Sequence, residues 1–492
     1  MSAASKTGQL GRNAAVYGGA LLLPRLAAFV ALIVFSRLLT PAEYGYFALF
    51  VISAELMNMV LFNWIRLAFL RLYAEHETQK QLPLLRRTCL AMTGLAMILS
   101  LPVALAMALL AAPDRWLVFF ALLLSMNFAN GIVRLRLSEL QAEHRSSRYF
   151  AIEVSRAVLS LALSLALVGV TGPHFEALAI GFAAANVGVA LVCLASFARD
   201  LMQLGLDRTL VRSIVSYAGP IIPITALESL IPLTERYVIQ FVAGPAAVGV
   251  YAAAQNLVQQ PINMLAAAVA LAAFPIIMRS AEVDGHGGAQ ARMREVGSLL
   301  LALGVPAVAG IIMLRSEIAT VILGEEFRAD AIALMPWVAI TAILVNLKFH
   351  YFDMAFHVTR RLMVQVATLL PATLLTAPLI YLFLQIWGLP GAAAGACIAF
   401  AASLAASWIA GRRLLTIPHA FGEMARILAA TGVMIAVIWG IGPLPGLLGL
   451  IALIVAGGTA YVLTAVALNT LNMRAALTSH MGRLSGRLVG AS

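Results

Sequence analysis

Three charged side chains sit where a charge is costly. Arg25 lies near the middle of an apolar stretch at 15–37, Glu55 near the middle of one at 44–65, and Glu228 near the middle of one at 216–238. At the centre of a hydrocarbon layer a charge costs about 2.5–3.5 kcal/mol on insertion scales, so each must find a partner or water. A guanidinium is planar, stays charged and donates two parallel hydrogen bonds, which suits phosphate or diphosphate oxygens. A carboxylate at that depth exchanges its charge state readily, which makes Glu55 and Glu228 candidate carriers of a proton or sodium ion. Gln255, Gln259 and Asn263 recur every four residues, with Asn256 and Gln260 alongside, and this spacing places them on one helical face. Glu55 and Asn58 share a face in the same way. Two readings stand for each feature. Arg25 is an anion ligand in a wet cavity, or half of a structural ion pair with Glu55; the Gln/Asn stripe lines that cavity, or hydrogen-bonds between helices.

Composition says what must position these residues. Of 492 residues, 62% are hydrophobic and only 11% charged, where soluble domains run at about 25% charged. Such a chain cannot cover a water-facing surface, and an apolar solvent removes that need. The net charge of +11 is spread over short basic runs between apolar segments, with no continuous basic domain of the kind nucleic acid would require. Cys89, Cys193 and Cys397 form no CxxC pair and read as small buried hydrophobes, neither a disulfide framework nor a zinc site.

Fourteen stretches of about 20 apolar residues follow one another from 15–37 to 447–468. An even number puts both termini on one side. Of the 33 Lys and Arg residues, 27 fall on the side of the termini. Five fall opposite (Arg37, Arg115, Arg236, Arg315 and Arg328), and Arg25 alone lies within a span. The positive-inside rule makes the populated side cytoplasmic. The longest loop expected outside, Ser316 to Asp330, has about 15 residues and leaves no room for an external catalytic domain. Glu235–Arg236, at the outer end of the seventh span, reads as a gate, a second anion contact, or an interfacial pair of little energetic weight.

The segment after the first span, TPAEYGYFALF (40–50), is echoed after the seventh by GPAAVGVYAAA (244–254). Pro41/Pro245, Ala42/Ala246, Gly45/Gly249 and Ala48/Ala252 coincide at an offset of 204. A looser echo links EALAIGFAAA (176–185) to PGAAAGACIA (390–399). These predict an all-α polytopic membrane protein with two six-helix lobes in a parallel pseudo-twofold repeat, 1–212 and 213–415, and two trailing helices with a tail in 416–492. Span 1 holds Gly18, Gly19 and Pro24, and span 7 holds Gly219, Pro220, Pro223 and Pro232. Interrupted helices at matching positions point to a transport site between the halves.

Several chemistries are excluded. Only three lysines occur and none follows a glycine, so no GxxxxGK[ST] phosphate loop exists; HExxH and GxSxG are also absent. Gly391 and Gly395 in GLPGAAAG (388–395) open an apolar span and serve close helix packing.

SRLLTPAEYGYFALF (36–50), TERYVIQFVAGPAAVGVYAAAQNL (234–257), ATVILGEEFRADAIAL (319–334) and WGLPGAAAGACIAF (387–400), in this order and spacing, resemble the polysaccharide-transporter proteins, the Wzx-like branch of the MOP flippase superfamily. The resemblance implies two lobes around a central cavity and alternating access. It implies a polyprenyl-diphosphate-linked oligosaccharide, moved from the cytoplasmic to the periplasmic leaflet of a bacterial inner membrane for a surface or extracellular polysaccharide such as O-antigen, capsule or exopolysaccharide. Membrane lipids, a polysaccharide polymerase and export machinery are the implied partners; nucleic acid is not one. The candidate substrate contacts are Arg25, Glu55, Asn58, Glu228, Gln255, Asn256, Gln259 and Gln260, with no catalytic residue, no metal ligand and no cofactor beyond a coupling proton or sodium ion. Relatives often carry cations in the cavity, and here Arg25 is the single one expected at mid-depth. The alternative is a MATE-like cation-coupled antiporter of small molecules, which needs an acidic cavity. A membrane polymerase or ligase conflicts with the short outer loops.

Overall fold

The computed structural model describes residues 23, 26–219, 221–416 and 421–472. Gly18, Gly19, Pro24 and Pro220 of the expected interruptions lie outside these residues. Among the described residues the regular structure is all helical. The first half of the chain holds α1 (Leu26–Leu38), α2 (Pro41–Met57), a π turn at Asn58–Phe62, α3 (Asn63–Thr78), α4 (Leu82–Ala111), α5 (Trp116–Ala142), α6 (Ser146–Thr171), α7 (Phe175–Ala195), the short α8 (Ala198–Leu201) and α9 (Arg208–Ala218). After these come α10 (Ile222–Val283), α11 (Gly285–Met313), α12 (Arg315–Ile322), α13 (Glu325–Leu347), a second π turn at Lys348–Phe352, and α14 (Met354–Val358). The chain closes with α15 (Leu362–Trp387), α16 (Leu389–Leu414), α17 (Phe421–Ile441) and α18 (Gly446–Ala467).

Twelve helical stretches are long and apolar enough to cross a membrane. One of them, α10, has 62 residues, about three times the ~20 a span needs. Its backbone breaks at Gly244, where φ is +80°, a conformation that glycine adopts without penalty. Counting its halves separately and adding α1 gives a helix for each of the fourteen expected spans. Pro223 and Pro232 sit inside α10 without breaking it, whereas within the expected seventh span α9 ends at Ala218 and α10 begins at Ile222; Gly244 falls in the connection expected between the seventh and eighth spans. The expected outer loop from Ser316 to Asp330 is mostly helical, formed by α12 and the start of α13.

The chain divides into two compact units, Met1–Ala253 with Thr376–Leu384, and Ala254–Leu375 with Gln385–Ser492. In the first, ion pairs sort the helix ends onto two faces. Arg115 lies within 3.2 Å of both Glu43 carboxylate oxygens and 3.0 Å from Glu176, and Glu43 also accepts from the Phe175 amide at 2.6 Å. These contacts gather the connections after spans 1, 3 and 5 at one end. Arg115 is about a third exposed, so the network is worth no more than about 1 kcal/mol for each contact. At the other end Glu139 is gripped by Arg86 and Arg136, and Arg87 pairs with Asp200. The alternation of spans expected from the sequence therefore holds across this unit. Beside that second end, Phe69, Leu85, Cys89, Leu137, Phe197 and Ile214 form an apolar cluster.

Helix α9 shows its role in its sequence. Leu210, Ile214 and Ala218 recur every four residues and are buried, while Arg208, Arg212 and Ser216 point away, the pattern of a helix lying along an interface. Its N-cap is Asp207, whose Oδ1 accepts from the Leu210 amide at 2.8 Å. The Thr209 hydroxyl and that amide hold the Asp207 carboxyl below the usual carboxylate range.

In the second unit α16 packs along α13, and its Gly391, Ala392, Ala393, Ala394 and Gly395 are all buried. Small residues let the backbones approach, as expected for this stretch. Lys348 and Asp353 are both fully buried, 2.8 Å apart, at the two edges of the second π turn. The three cysteines are buried thiols, as expected.

Candidate functional site

Helices α2, α3, α5, α6 and α7 bring a set of polar residues together inside the first unit. Asn127, Asn130 and Arg134 lie on one face of α5, and Tyr149, Glu153 and Arg156 on one face of α6, at spacings of three and four residues. The π turn at Asn58–Phe62 joins Glu55 and Asn58 on α2 to Asn63 and Arg66 on α3. A π turn adds a residue to the helical register, and such turns concentrate at functional sites.

Arg156 is the hub. It lies ten residues inside the start of α6 and fifteen from its end. Its Nε donates to Asn186 Oδ1 at 2.9 Å and its Nη2 to Asn130 Oδ1 at 3.1 Å. Asn186 is held in turn, since its amide nitrogen donates to Ser160 Oγ at 3.0 Å and Phe182 O at 2.8 Å. Asn186 thus presents only its oxygen to the guanidinium. Arg66 donates from Nε to Asn63 Oδ1 at 3.0 Å. Arg156 lies within electrostatic range of Arg134, Glu153 and Glu55, and Arg66 within range of Arg134 and Tyr149. Arg134 Nε is buried with no hydrogen-bond partner. Among the described residues none of the three arginines is in an ion pair. The hydrogen bonds of Arg66 and Arg156 go to neutral amides, which orient a guanidinium without cancelling its charge. Three cations and two nearby carboxylates leave the cluster net positive. Oriented donors of fixed positive charge are what a diphosphate needs.

The structure thus adds Arg66, Arg134 and Arg156, all half-buried in the first unit, to the single Arg25 that the sequence placed within a span. Arg66, Arg134 and Arg156 were assigned to loops and helix ends because a charge count treats every arginine near a span boundary as cytoplasmic. The helices extend well past those boundaries. The three- and four-residue spacing that singled out Gln255, Gln259 and Asn263 was equally present at Asn130/Arg134 and Tyr149/Glu153/Arg156.

The remaining predicted residues are distributed as follows. Arg25 lies outside the described residues. Glu55 is half-buried and accepts from Asn58 Nδ2 at 3.4 Å. Asn58 is buried, with its Oδ1 unpartnered. Glu228 is half-buried on α10 in the first unit. Gln255 is buried and Asn256, Gln259 and Gln260 half-buried, on the part of α10 that belongs to the second unit. One member of that stripe, Asn263, accepts from Asn346 Nδ2 at 2.7 Å, an interhelical bond. Glu235 and Arg236 are buried rather than interfacial. Arg236 Nη1 donates to Ala48 O at 3.0 Å, and Glu235 Oε2 accepts from Tyr251 Oη at 3.1 Å.

The sequence repeat is itself a contact. The start of α2 crosses α10 just after its break, and the two copies touch at their shared glycines. A Cβ on Gly45 would stand 1.9 Å from Pro245 O, and a Cβ on Gly249 would stand 1.9 Å from Pro41 O. Each copy's glycine receives the other's proline carbonyl, the reciprocity of a twofold axis. Only glycine permits backbones this close. Tyr237 Oη, 2.8 Å from Ser53 Oγ, and Gln240 Nε2, donating to Ala111 O at 2.9 Å, tie α10 to α2 and α4 beside the crossing.

Comparison with known proteins places this arrangement. Over 92% of this chain and 98% of the other, the structure is similar to one described as lipid II flippase MurJ in an inward closed conformation, with a TM-score of 0.73 at 14% identity. A multidrug resistance MATE family transporter of the MOP superfamily, in an inward-facing conformation, matches 80% of this chain and 97% of its own with a TM-score of 0.62 at 15% identity. At these identities the likeness is one of fold. No curated protein matches the chain at a significant level. The family model described as polysaccharide biosynthesis protein matches residues 34–331. This multi-pass helical chain, built on the fold shared by those two transporters, belongs to the polysaccharide biosynthesis protein family.

Proposed function

We propose that the protein is a flippase for a polyprenyl-diphosphate-linked oligosaccharide, carrying it from the cytoplasmic to the periplasmic leaflet of the bacterial inner membrane by alternating access. The observation that carries this reading is the Arg66/Arg134/Arg156 cluster, in which neutral amides orient Arg66 and Arg156, inside a chain of this family. In this reading the cluster receives the diphosphate and Arg25 adds a further cation. Glu228 and the polar residues Asn58, Gln255, Asn256, Gln259 and Gln260 meet the glycan. The polyprenyl tail stays in lipid, where each buried CH₂ is worth about 0.8 kcal/mol. Glu55, within reach of Arg156, is the first candidate for coupling to a proton or sodium ion, because binding and release of a cation there would change the field at the arginines. No covalent chemistry is needed, and the product passes to a polymerase and the export machinery. Both termini are cytoplasmic, in keeping with the distribution of Lys and Arg.

A strain lacking the gene tests the reading. Lipid-diphosphate oligosaccharide should accumulate on the cytoplasmic face and clear when the gene is restored. No accumulation, with normal surface polysaccharide, would overturn it and favour a small-molecule antiporter; that alternative further requires transport to fail when Glu55 and Glu228 are both changed to Gln.

A further inference from the structure

A groove of about 540 Å³ runs between α6 and α7, away from the arginine cluster's hydrogen bonds. Its walls are Ser155, Leu159 and Leu163 on α6 and Gly188 and Val192 on α7. The surrounding surface is apolar and open, with Val158 at 56%, Leu191 at 54% and Val192 at 75% exposure, as expected of a face turned to lipid. At one end stand Arg136 and Arg148. Arg136 is already committed to Glu139. Arg148 is exposed and makes no ion pair among the described residues. From Ser155 to Leu163 the apolar wall spans eight residues of helix, about 12 Å, close to the ~15 Å that is half of a bilayer's hydrocarbon thickness.

We infer that this groove binds an anionic phospholipid of the cytoplasmic leaflet, with one acyl chain along α6 and α7 and the phosphate on Arg148. Length, apolarity and charge each select the occupant. An apolar slot one leaflet deep takes a single chain. One unpaired guanidinium at its mouth takes a single phosphodiester, and the charge count puts that mouth on the cytoplasmic side. A zwitterionic headgroup would bring its own cation to an arginine that no carboxylate pairs among the described residues. The site is separate from the proposed diphosphate cluster and does not depend on the identity of the transported substrate.

The test is native mass spectrometry of the full chain, released from detergent with phosphatidylglycerol and phosphatidylethanolamine supplied equally. The wild type should retain phosphatidylglycerol preferentially. Arg148→Gln should reduce that retention about fivefold, the effect of one basic residue at a membrane surface, and Arg148→Lys should restore most of it. Gly188→Phe should block the slot itself. A Cβ at Gly188 meets nothing within 4 Å, and an unchanged melting temperature checks that the variant keeps its fold. Equal retention of the two lipids by the wild type would overturn the inference, as would phosphatidylglycerol retention that survives both Arg148→Gln and Gly188→Phe. Retention of polyprenyl phosphate that phosphatidylglycerol cannot displace would overturn it too, assigning the groove to the tail of the transported lipid.

Discussion

Replacing Gly249 by alanine asks whether the crossing of the two repeat copies controls opening on the outer side. The new Cβ would stand 1.9 Å from Pro41 O and 2.9 Å from Pro41 C, below the 3.0 Å that real Cβ atoms respect. The helices must therefore separate by about 1 Å or more in any state that keeps the crossing. Overpacking of this kind costs about 1–3 kcal/mol, which shifts a two-state equilibrium by about 5–150-fold. Alanine is also the better helix former, by about 1 kcal/mol, but that gain is the same in both states and leaves their ratio unchanged. A reporter cysteine at Ala252, which is fully buried beside the crossing, reads the ratio directly. The native cysteines are all buried and add little background. Modification by a membrane-impermeant maleimide should accelerate within that range in Gly249→Ala, and surface polysaccharide should fall. Gly45→Ala should reproduce the effect through Pro245, and the double variant should exceed either single by less than their sum, since one separation relieves both clashes. Wild-type labelling and export in both single variants would refute the reasoning.

Three other perturbations follow from the geometry. Lys348→Met leaves Asp353 buried without its partner, so thermal unfolding in detergent should report a loss of about 3–5 kcal/mol, while the double change to Met and Leu recovers most of it. Arg156→Gln should abolish clearance of the lipid-linked intermediate with little change in melting temperature, and Arg156→Lys should restore it only in part, because an ammonium cannot span Asn186 and Asn130 as the planar guanidinium does; normal clearance by Arg156→Gln would remove the cluster from the site. The Asp207 carboxyl is held low in the folded state, so its support for α9 is complete above the ordinary carboxylate range near pH 4 and is lost as pH falls through its lowered folded value. Amide exchange at Leu210 should therefore speed up below about pH 4 in the wild type, whereas Asp207→Asn should show no such step.

How far the fold can be read from residues depends on which force sets each part. Apolar runs against a hydrocarbon solvent dictate where helices cross, and all fourteen were visible. Backbone contact also left a trace, since the offset-204 match at Pro41/Pro245 and Gly45/Gly249 marks the atoms that touch. In the seventh span one helix ends at Ala218, beside the expected Gly219, and the next begins at Ile222, but the prolines further along were wrongly taken to mean a break. Pro232 sits within α10 as ordinary helix, whereas Gly244 turns the chain. The arginine cluster was missed for a different reason. Positive-inside counting averages over loops and cannot tell Arg148, exposed at a helix end, from Arg156, eight residues further along and aimed at two buried asparagines. Lys348 shows the same failing, as it lies in the cytoplasmic tally yet is enclosed with Asp353.

The glycine crossing also has a consequence for how the chain could have come to differ between its halves. In a pair of identical six-helix subunits meeting about a twofold axis, any substitution at the contact would be made twice, and both clashes would arrive together. Joining the copies in one polypeptide lifts that constraint everywhere except where the two backbones meet. The present residues follow that division. Pro41/Pro245 and Gly45/Gly249 are still matched at the contact, while Glu43, Tyr44 and Tyr46 stand where the other copy has Ala247, Val248 and Val250. Glu43 has used the freedom to capture Arg115 and the Phe175 amide. The first copy is thereby braced at its end of the bundle through a carboxylate that the second copy lacks, with Ala247 at the matching position.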